Sequence, residues 1–431
     1  MINNSFNKIL KNSAIVFSGN MGASILGLLS ISLFTHSQGA EIFGYFVLFL
    51  TYIEVIDRVF NFQTWQAFIK YAIDFQERKE SHHFNMLLKY TFLIDLFSLF
   101  VAFLVAFFAT KYFIDFFNIP LKYENLVVLM SFSLLFNIVS FTTGVFRIFD
   151  EFKIQSKIMV YVALIKLILF IVIYFIKPTF EYFVYATIFS QFVGFILKIV
   201  YSKKILNDNN IYFIDIVKSK IDFLLFKKLK IISFIVYNNL DVAVRMVSRQ
   251  LDTILIGKLV GAEAVGIYKI AKEITAIIAR FTDPIYQTIY PELAKLLSRN
   301  NFEDAKNVSF KISLYLSVFS ILFYFLFIIF GKYAISLAFG DNFIDAYNVV
   351  LVYYIAIFIS IVTLPIVPIL QALALNKVAF KNQLLATLIY AICIYPLIYF
   401  YGLYGASITY IIFYTVWSLL SFKTIYNTRK F

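Results

Sequence analysis

The sequence holds a single cysteine, Cys393, so no disulfide forms within the chain and no metal site can be built from cysteine. Histidine is nearly as scarce. His36, His82 and His83 lie in two separate hydrophilic segments, and no HExxH helix or carboxylate–histidine cluster can be assembled from them. No GxxxxGK[ST] stretch occurs, which removes the P-loop route to nucleotide hydrolysis. Charge is thin throughout. Only 15% of the 431 residues are Asp, Glu, Lys or Arg, whereas a soluble domain carries about 25%.

What replaces charge is apolar. Hydrophobic residues make up 61% of the chain, and the mean hydropathy is +0.83. A water-soluble chain of this length could not hide that much apolar surface. The apolar runs are continuous and do not alternate at period two, which excludes an outer-membrane barrel. A helix needs about 20 residues to cross a hydrocarbon layer of about 30 Å. Twelve runs fit: 12–34, 43–65, 88–110, 125–147, 157–176, 182–202, 231–257, 264–290, 311–330, 347–374, 382–400 and 404–423. Lys8 and Lys11 precede the first run, but it is too long for a signal-peptide core and is read as a retained span. The expected fold is an all-α polytopic membrane protein of about twelve transmembrane helices.

Lys and Arg set the orientation. With the amino terminus in the cytoplasm, basic residues in the cytoplasmic segments outnumber those outside roughly five to one. Both termini are therefore expected in the cytoplasm. The same distribution accounts for the net charge of +13 without a nucleic-acid partner, because the positive charge is spread over every second loop.

The longest hydrophilic stretch separates six spans from six. It gives an expected division into a lobe at 1–203, a basic linker at 204–230 and a lobe at 231–431. A short pattern recurs across the linker. Gly39-Ala40-Glu41 precedes Gly44-Tyr45, and Gly261-Ala262-Glu263 precedes Gly266 and Tyr268, at an offset of 222 residues. The same offset aligns Arg58 with Arg280. Two like-oriented halves of six spans make a parallel repeat, with a site expected between them near the midplane.

Ionisable residues nonetheless fall inside the spans. They are Glu54, Asp57, Arg58, Asp95, Lys166, Asp241, Arg245, Arg249, Asp252, Lys269, Lys272, Glu273, Arg280 and Asp283, with acids and bases in equal number. Each costs roughly 2.5–3.5 kcal/mol at mid-bilayer, so most must face a polar interior or one another. At helical spacing Asp241, Arg245, Arg249 and Asp252 share a stripe, as do Lys269, Glu273 and Arg280, and as do Glu54, Arg58, Asn61 and Trp65. Two readings follow: a water-filled cavity lined by spans 2, 7 and 8, or internal salt bridges that lock helices together. Pro284, Pro291, Pro365, Pro368 and Pro396 lie within or at the ends of spans and are expected to kink or break them. Gly19, Ala23 and Gly27 form a ridge of small residues suited to helix packing.

Several stretches resemble one transporter family. They are Ser248-Arg249-Gln250-Leu251-Asp252, then Gly261-Ala262-Glu263-Ala264-Val265-Gly266-Ile267-Tyr268, Ala271-Lys272, Asp283-Pro284 and Tyr290-Pro291-Glu292-Leu293. The first half adds Gly44-Tyr45, Asp57-Arg58, Phe62-Gln63-Thr64-Trp65-Gln66 and Gly144-Val145-Phe146-Arg147. The pattern is similar to the Wzx-type O-antigen and polysaccharide flippases of the multidrug/oligosaccharidyl-lipid/polysaccharide exporter superfamily. The resemblance implies a MATE-like fold of two six-helix lobes in the bacterial cytoplasmic membrane. It implies a flippase for a lipid-linked oligosaccharide on an isoprenoid pyrophosphate, acting in surface polysaccharide and O-antigen assembly by alternating access. It also makes Arg58, Arg245, Arg249, Lys269, Lys272 and Arg280 the candidate substrate-binding side chains in the lumen.

Asp57, Asp95, Asp241 and Asp252 are the candidates for ion coupling, with a proton or Na⁺ gradient as the energy source and no bound cofactor. Expected partners are the lipid-linked oligosaccharide and membrane lipids, with a polysaccharide polymerase and a chain-length regulator as further candidates. Two other functions compete. A cation-coupled multidrug exporter of the same superfamily would want an acidic lumen, whereas spans 2, 7 and 8 carry six basic residues. A membrane-embedded sugar polymerase needs a large external loop for its catalytic groups, and the longest here are only the segments 111–124 and 331–346. A transporter, not an enzyme, is expected.

Overall fold

The computed structural model describes residues 2–62, 64–220, 222, 224, 230–299 and 301–427. Among the described residues every regular element is helical. In hydrocarbon each backbone N–H and C=O must be satisfied within its own segment, and a helix is what lets one isolated span do this.

The first helices are α1 (Ile2–Phe60), α2 (Trp65–Glu77), α3 (Ser81–Phe117), α4 (Glu124–Ser131) and α5 (Val139–Ile148). They continue with α6 (Phe152–Ile176), α7 (Phe180–Asp208), α8 (Phe213–Lys218) and α9 (Ile231–Leu259). The remainder are α10 (Ala262–Ser298), α11 (Phe302–Phe339), α12 (Ala346–Val362), α13 (Ile366–Ala372) and α14 (Asn376–Asn427).

Among the described residues, eight segments are long and apolar enough to cross a membrane. Two of them, α1 and α14, are each a pair of spans joined across a sharp backbone turn, at Gly39 and Gly402. The helices α9 and α10 have the length, 29 and 37 residues; α9 opens on the apolar run Ile231–Leu240, and α10 is the more charged of the two. These account for the twelve spans expected.

The repeat read in the sequence has a backbone counterpart. Gly39 has φ 76° and ψ −178°, and Gly261 has φ 114° and ψ 177°. That region is essentially closed to any residue with a Cβ, so the same unusual turn starts the second span of each half.

The fourth span of each half is interrupted, and these two are also the most enclosed of the apolar segments. In the first half α4 passes through a short 3₁₀ stretch, Phe132–Phe136, and breaks before α5. In the second, α12 stops at Val362 and α13 restarts after Pro365. Proline therefore explains one break only. Pro284, Pro291 and Pro396 lie inside continuous helices, so of the two outcomes expected, a kink or a break, these three do not break their spans. A lone proline removes one hydrogen bond, which a neighbouring helix can tolerate.

The chain divides into two compact units. The first holds Met1–Gln38 and Phe49–Gln250, and the second Gly39–Leu48 and Leu251–Phe431. This division falls inside α1 and α9, not at residues 204–230. The reason in α9 is packing. Ile231 and Ile235 are buried with Phe68, Tyr71 and Phe75 of α2, Phe84 and Leu87 of α3, and Phe146 of α5 in the core of the first unit. In the second unit Ile289, Leu293 and Leu297 of α10 bury against Ile366, Ile369 and Leu370 of α13 and Ile425 of α14.

Small residues allow close helix approach. A Cβ on Gly44 would sit 1.7 Å from the carbonyl oxygen of Ala262, and one on Gly266 would sit 2.4 Å from that of Ala40, both within the second unit. The two contacts exchange under the 222-residue repeat, so Ala40/Gly44 and Ala262/Gly266 meet symmetrically. The Gly19 ridge is used only at its start. Gly19 presses on Ser156 and Gly22 on Val160, while Gly27 meets nothing within 4 Å.

Large apolar side chains are exposed on the outer faces, with Phe175 and Ile176 at 78% and Phe108 at 71%. In water this would be an aggregation surface. In a bilayer it is the ordinary lipid-facing side.

Candidate functional site

Two polar clusters are buried in the helices, one in each unit. In the first unit Asp95 projects from α3 with 1% of its surface exposed. Its Oδ1 accepts the Thr64 hydroxyl at 2.6 Å, and its Oδ2 accepts the Phe141 backbone N–H at 2.6 Å. Thr64 is the residue before α2, and Phe141 lies in the first turn of α5. One carboxyl thus holds the starts of two helices that follow breaks in the backbone. The first-turn N–H groups of a helix have no partner in the helix itself, and in an apolar surrounding each needs one. This is how the proline-free break before α5 is stabilised.

A second layer sits beside it. Asn61 donates to Asp57 Oδ1 at 3.0 Å and to the Asn137 carbonyl at 3.5 Å, and it accepts the Ser98 hydroxyl at 3.1 Å. Asn137 is the other side of the same break. Asp57, Asn61, Asp95 and Ser98 therefore form a continuous polar seam through α1 and α3 to the interrupted span.

In the second unit Asp252 of α9 is fully buried. Its Oδ2 meets Lys272 Nζ at 2.8 Å and accepts the Tyr268 hydroxyl at 3.0 Å, and its Oδ1 accepts the Thr253 N–H at 2.7 Å. Tyrosine rings surround this pair. Tyr268 meets Tyr353 edge-on at 6.1 Å, and Tyr410 lies 5.2 Å from both Tyr353 and Tyr390. The Tyr390 hydroxyl is enclosed with no hydrogen-bond partner among the described residues.

Further along α10, Glu273 is shared between two cations. Lys269 Nζ is 2.8 Å from one oxygen and Arg280 Nη2 is 4.0 Å from the other. Lys269 and Arg280 are each about a third exposed, with side-chain values of 36% and 33%. Among the described residues, two positive charges against one carboxylate leave this cluster with a positive surplus.

The sequence candidates thus fall into separate groups. Lys272 is the counter-ion of Asp252, while Lys269 and Arg280 share Glu273. The reading in which salt bridges lock helices together is met by Lys272 alone of these three, because Lys269 and Arg280 pair with Glu273 on their own helix. Arg58 is half-buried on α1, and Arg249 is exposed on α9. Gln250, next to Arg249, donates to Glu54 at 2.9 Å. Arg249 and Asp252 share a helical stripe, yet they belong to different units and differ in burial. The side chains of Asp241, Arg245 and Asp283 lie outside the described residues.

Sequence reading missed Thr64, Ser98 and the Phe141 N–H as partners of the acidic seam, and Tyr268 as a partner of Asp252. Thr64 lies 31 residues from Asp95, and no helical periodicity reports such a contact.

The family model for polysaccharide biosynthesis proteins matches residues 9–297. The chain belongs to this family. An inner membrane protein of Escherichia coli strain K12, YghQ, is 29% identical over 94 residues, 22% of this chain; the match spans about a quarter of that relative. Among solved structures, an inward-facing multidrug-resistance MATE transporter of the MOP superfamily aligns with TM-score 0.72 at 13% identity, over 96% of this chain and 97% of that one. The lipid II flippase MurJ in an inward closed conformation aligns with TM-score 0.71 at 14% identity, over 95% and 87% of the two chains. At such identities these likenesses speak for the fold alone, and the fold is the MATE-like one expected. This member of the polysaccharide biosynthesis family is a multi-pass bacterial inner-membrane protein with the architecture of MOP-superfamily transporters.

Proposed function

We propose that the chain flips a saccharide carried on an isoprenoid pyrophosphate across the cytoplasmic membrane for surface polysaccharide or O-antigen assembly. The observation that carries this reading is the Lys269–Glu273–Arg280 cluster. Among the described residues it is a positive surplus on a membrane helix, and it is partly open. A pyrophosphate is the complementary charge, and a guanidinium binds it through two parallel hydrogen bonds. A cation exporter would need the opposite sign.

In this reading Arg58, Arg245 and Arg249 remain candidate substrate-binding residues, and Lys272 is set aside as the counter-ion of Asp252. Alternating access moves the cargo, and the acidic seam of Asp57 and Asp95 is the place for coupling to a proton or Na⁺ gradient. The termini lie in the cytoplasm, and a polymerase and a chain-length regulator receive the product.

The test is export of the surface glycan in cells whose own copy has been deleted. Arg280→Ala should lower export more than tenfold, since it removes a charge-assisted pair of roughly 1.5–3 kcal/mol, while the protein still inserts. Arg280→Lys should recover only part. Undiminished export by Arg280→Ala and by Lys269→Ala would leave the cluster as ion pairing within α10 and remove the support for an anionic cargo.

A further inference from the structure

A cavity of about 540 Å³ opens in the first unit between α2 and the start of α9. Seven residues line it, and none is acidic. Lys70 comes from α2 and Lys230 from the residue before α9. Ser233, Phe234, Tyr237 and Asn238 come from the first turns of α9. The Lys70 ammonium rests 4.8 Å from the Phe234 ring centre and 5.1 Å from that of Tyr71. These ring contacts hold the charge at the cavity wall. Among the described residues neither Lys70 nor Lys230 has a carboxylate partner. The Asn238 side-chain nitrogen is enclosed and has no acceptor there. By contrast Lys89, on the neighbouring α3, is spent on the carbonyls of Val217 and Ser219, at 2.6 and 2.9 Å. Among the described residues the cavity therefore offers two ammonium groups and a hydroxyl, with no carboxylate in its wall to balance them.

The neighbouring surface is apolar. Ile232, Val236 and Leu240 are 50%, 39% and 55% exposed. At a spacing of four they form one stripe along α9, next to the row of Ser233 and Tyr237 that walls the cavity. A soluble anion has no use for such a stripe, but a lipid tail does.

We propose that this cavity seats the anionic phosphate headgroup of a lipid, whose hydrocarbon chain lies along the Ile232–Val236–Leu240 stripe. The site is separate from the Lys269–Glu273–Arg280 cluster, and it stands whatever the transported cargo is. Lys70 and Lys230 meet the phosphate charge, and Ser233 donates to its oxygens.

Native mass spectrometry of the full chain in a neutral detergent tests this, with a polyprenyl phosphate, phosphatidylglycerol, diacylglycerol and inorganic pyrophosphate as separate probes. One or both anionic lipids should bind at least about tenfold more tightly than diacylglycerol. Lys70→Gln and Lys230→Gln should each weaken that binding about fivefold, and Lys203→Gln, on a basic residue outside the cavity, should not. Leu240→Ser should weaken lipid binding and leave pyrophosphate unaffected. The proposal is overturned if both lysine variants bind as the parent does. It is equally overturned if diacylglycerol matches the anionic lipids, or if pyrophosphate alone binds as tightly as they do, which would make this a site for a soluble anion. Because the readout is binding, its failure leaves the export assay and the flippase reading intact.

Discussion

Each unit buries one aspartate almost completely, and the two are stabilised in opposite ways. Asp252 is matched to a formal positive charge, Lys272, with Tyr268 and the Thr253 N–H completing its shell. Asp95 has no basic side chain against it among the described residues. It is held by a hydroxyl and a backbone N–H at two helix starts. The difference follows from the backbone nearby. Where the span is broken, free N–H groups are available and a carboxyl finds dipoles. Where α9 and α10 run unbroken, the N–H groups beyond the first turn serve the helix first; Asp252 shares that of its neighbour Thr253 and is completed by a cation. An ion pair ties one helix to one other, whereas Asp95 ties one helix to two interrupted ones.

This contrast can be broken most directly at Lys272. Lys272→Met strands a fully buried carboxylate and should destabilise the protein by about 3–5 kcal/mol, read as a loss of thermal stability in detergent. Adding Asp252→Leu should restore most of it, because replacing both members of a buried pair by apolar groups is close to neutral. If the double variant is no better than the single one, Asp252 is held chiefly by Tyr268 and Thr253, and the contrast with Asp95 fails.

A smaller effect is expected at Asp95. Asp95→Ala strands the Thr64 hydroxyl and the Phe141 N–H, together about 2–3 kcal/mol. The damage should be local, with faster hydrogen exchange confined to the starts of α2 and α5. Fast exchange spread evenly over α3 would mean that Asp95 packs its own helix and does not staple the two breaks.

The smallest effect sharpens the comparison through the repeat. Gly44→Ala and Gly266→Ala each push a Cβ into a carbonyl of the crossing helix, and each should cost about 1–2 kcal/mol. Near-equal losses would confirm that the two contacts are equivalent. A large inequality would mean that the symmetry lies in sequence and turn geometry but not in energy.

Much of the fold was legible because its signals are local. Runs of about twenty apolar residues report spans, and basic loops report alternation. Gly39 and Gly261 could be matched by eye because their turn admits no other residue type. The twelve-span count survived even though α10 carries Lys269, Lys272, Glu273 and Arg280. The candidate site was legible only in kind. Charges in spans 2, 7 and 8 announced themselves, since lipid does not tolerate them unpartnered. Which charge meets which did not follow. Lys269 and Glu273 are four apart on one helix and could be paired on paper, but Lys272 meets an aspartate 20 residues away on another helix.

By itself, then, the sequence determined that this protein crosses a membrane, that it does so about twelve times, and that its halves repeat. These are properties of composition and short spacing, fixed by the cost of moving each segment from water into lipid. The tertiary structure alone decided that the fourth span breaks without a proline and that Asp95 closes that break. It alone decided that Asp252 is neutralised by Lys272 and that Lys70 and Lys230 share a cavity. Each is a contact between helices far apart in the chain, where a carboxyl or an ammonium takes whichever partner the packing brings within about 3 Å, and no periodicity along one helix encodes that choice.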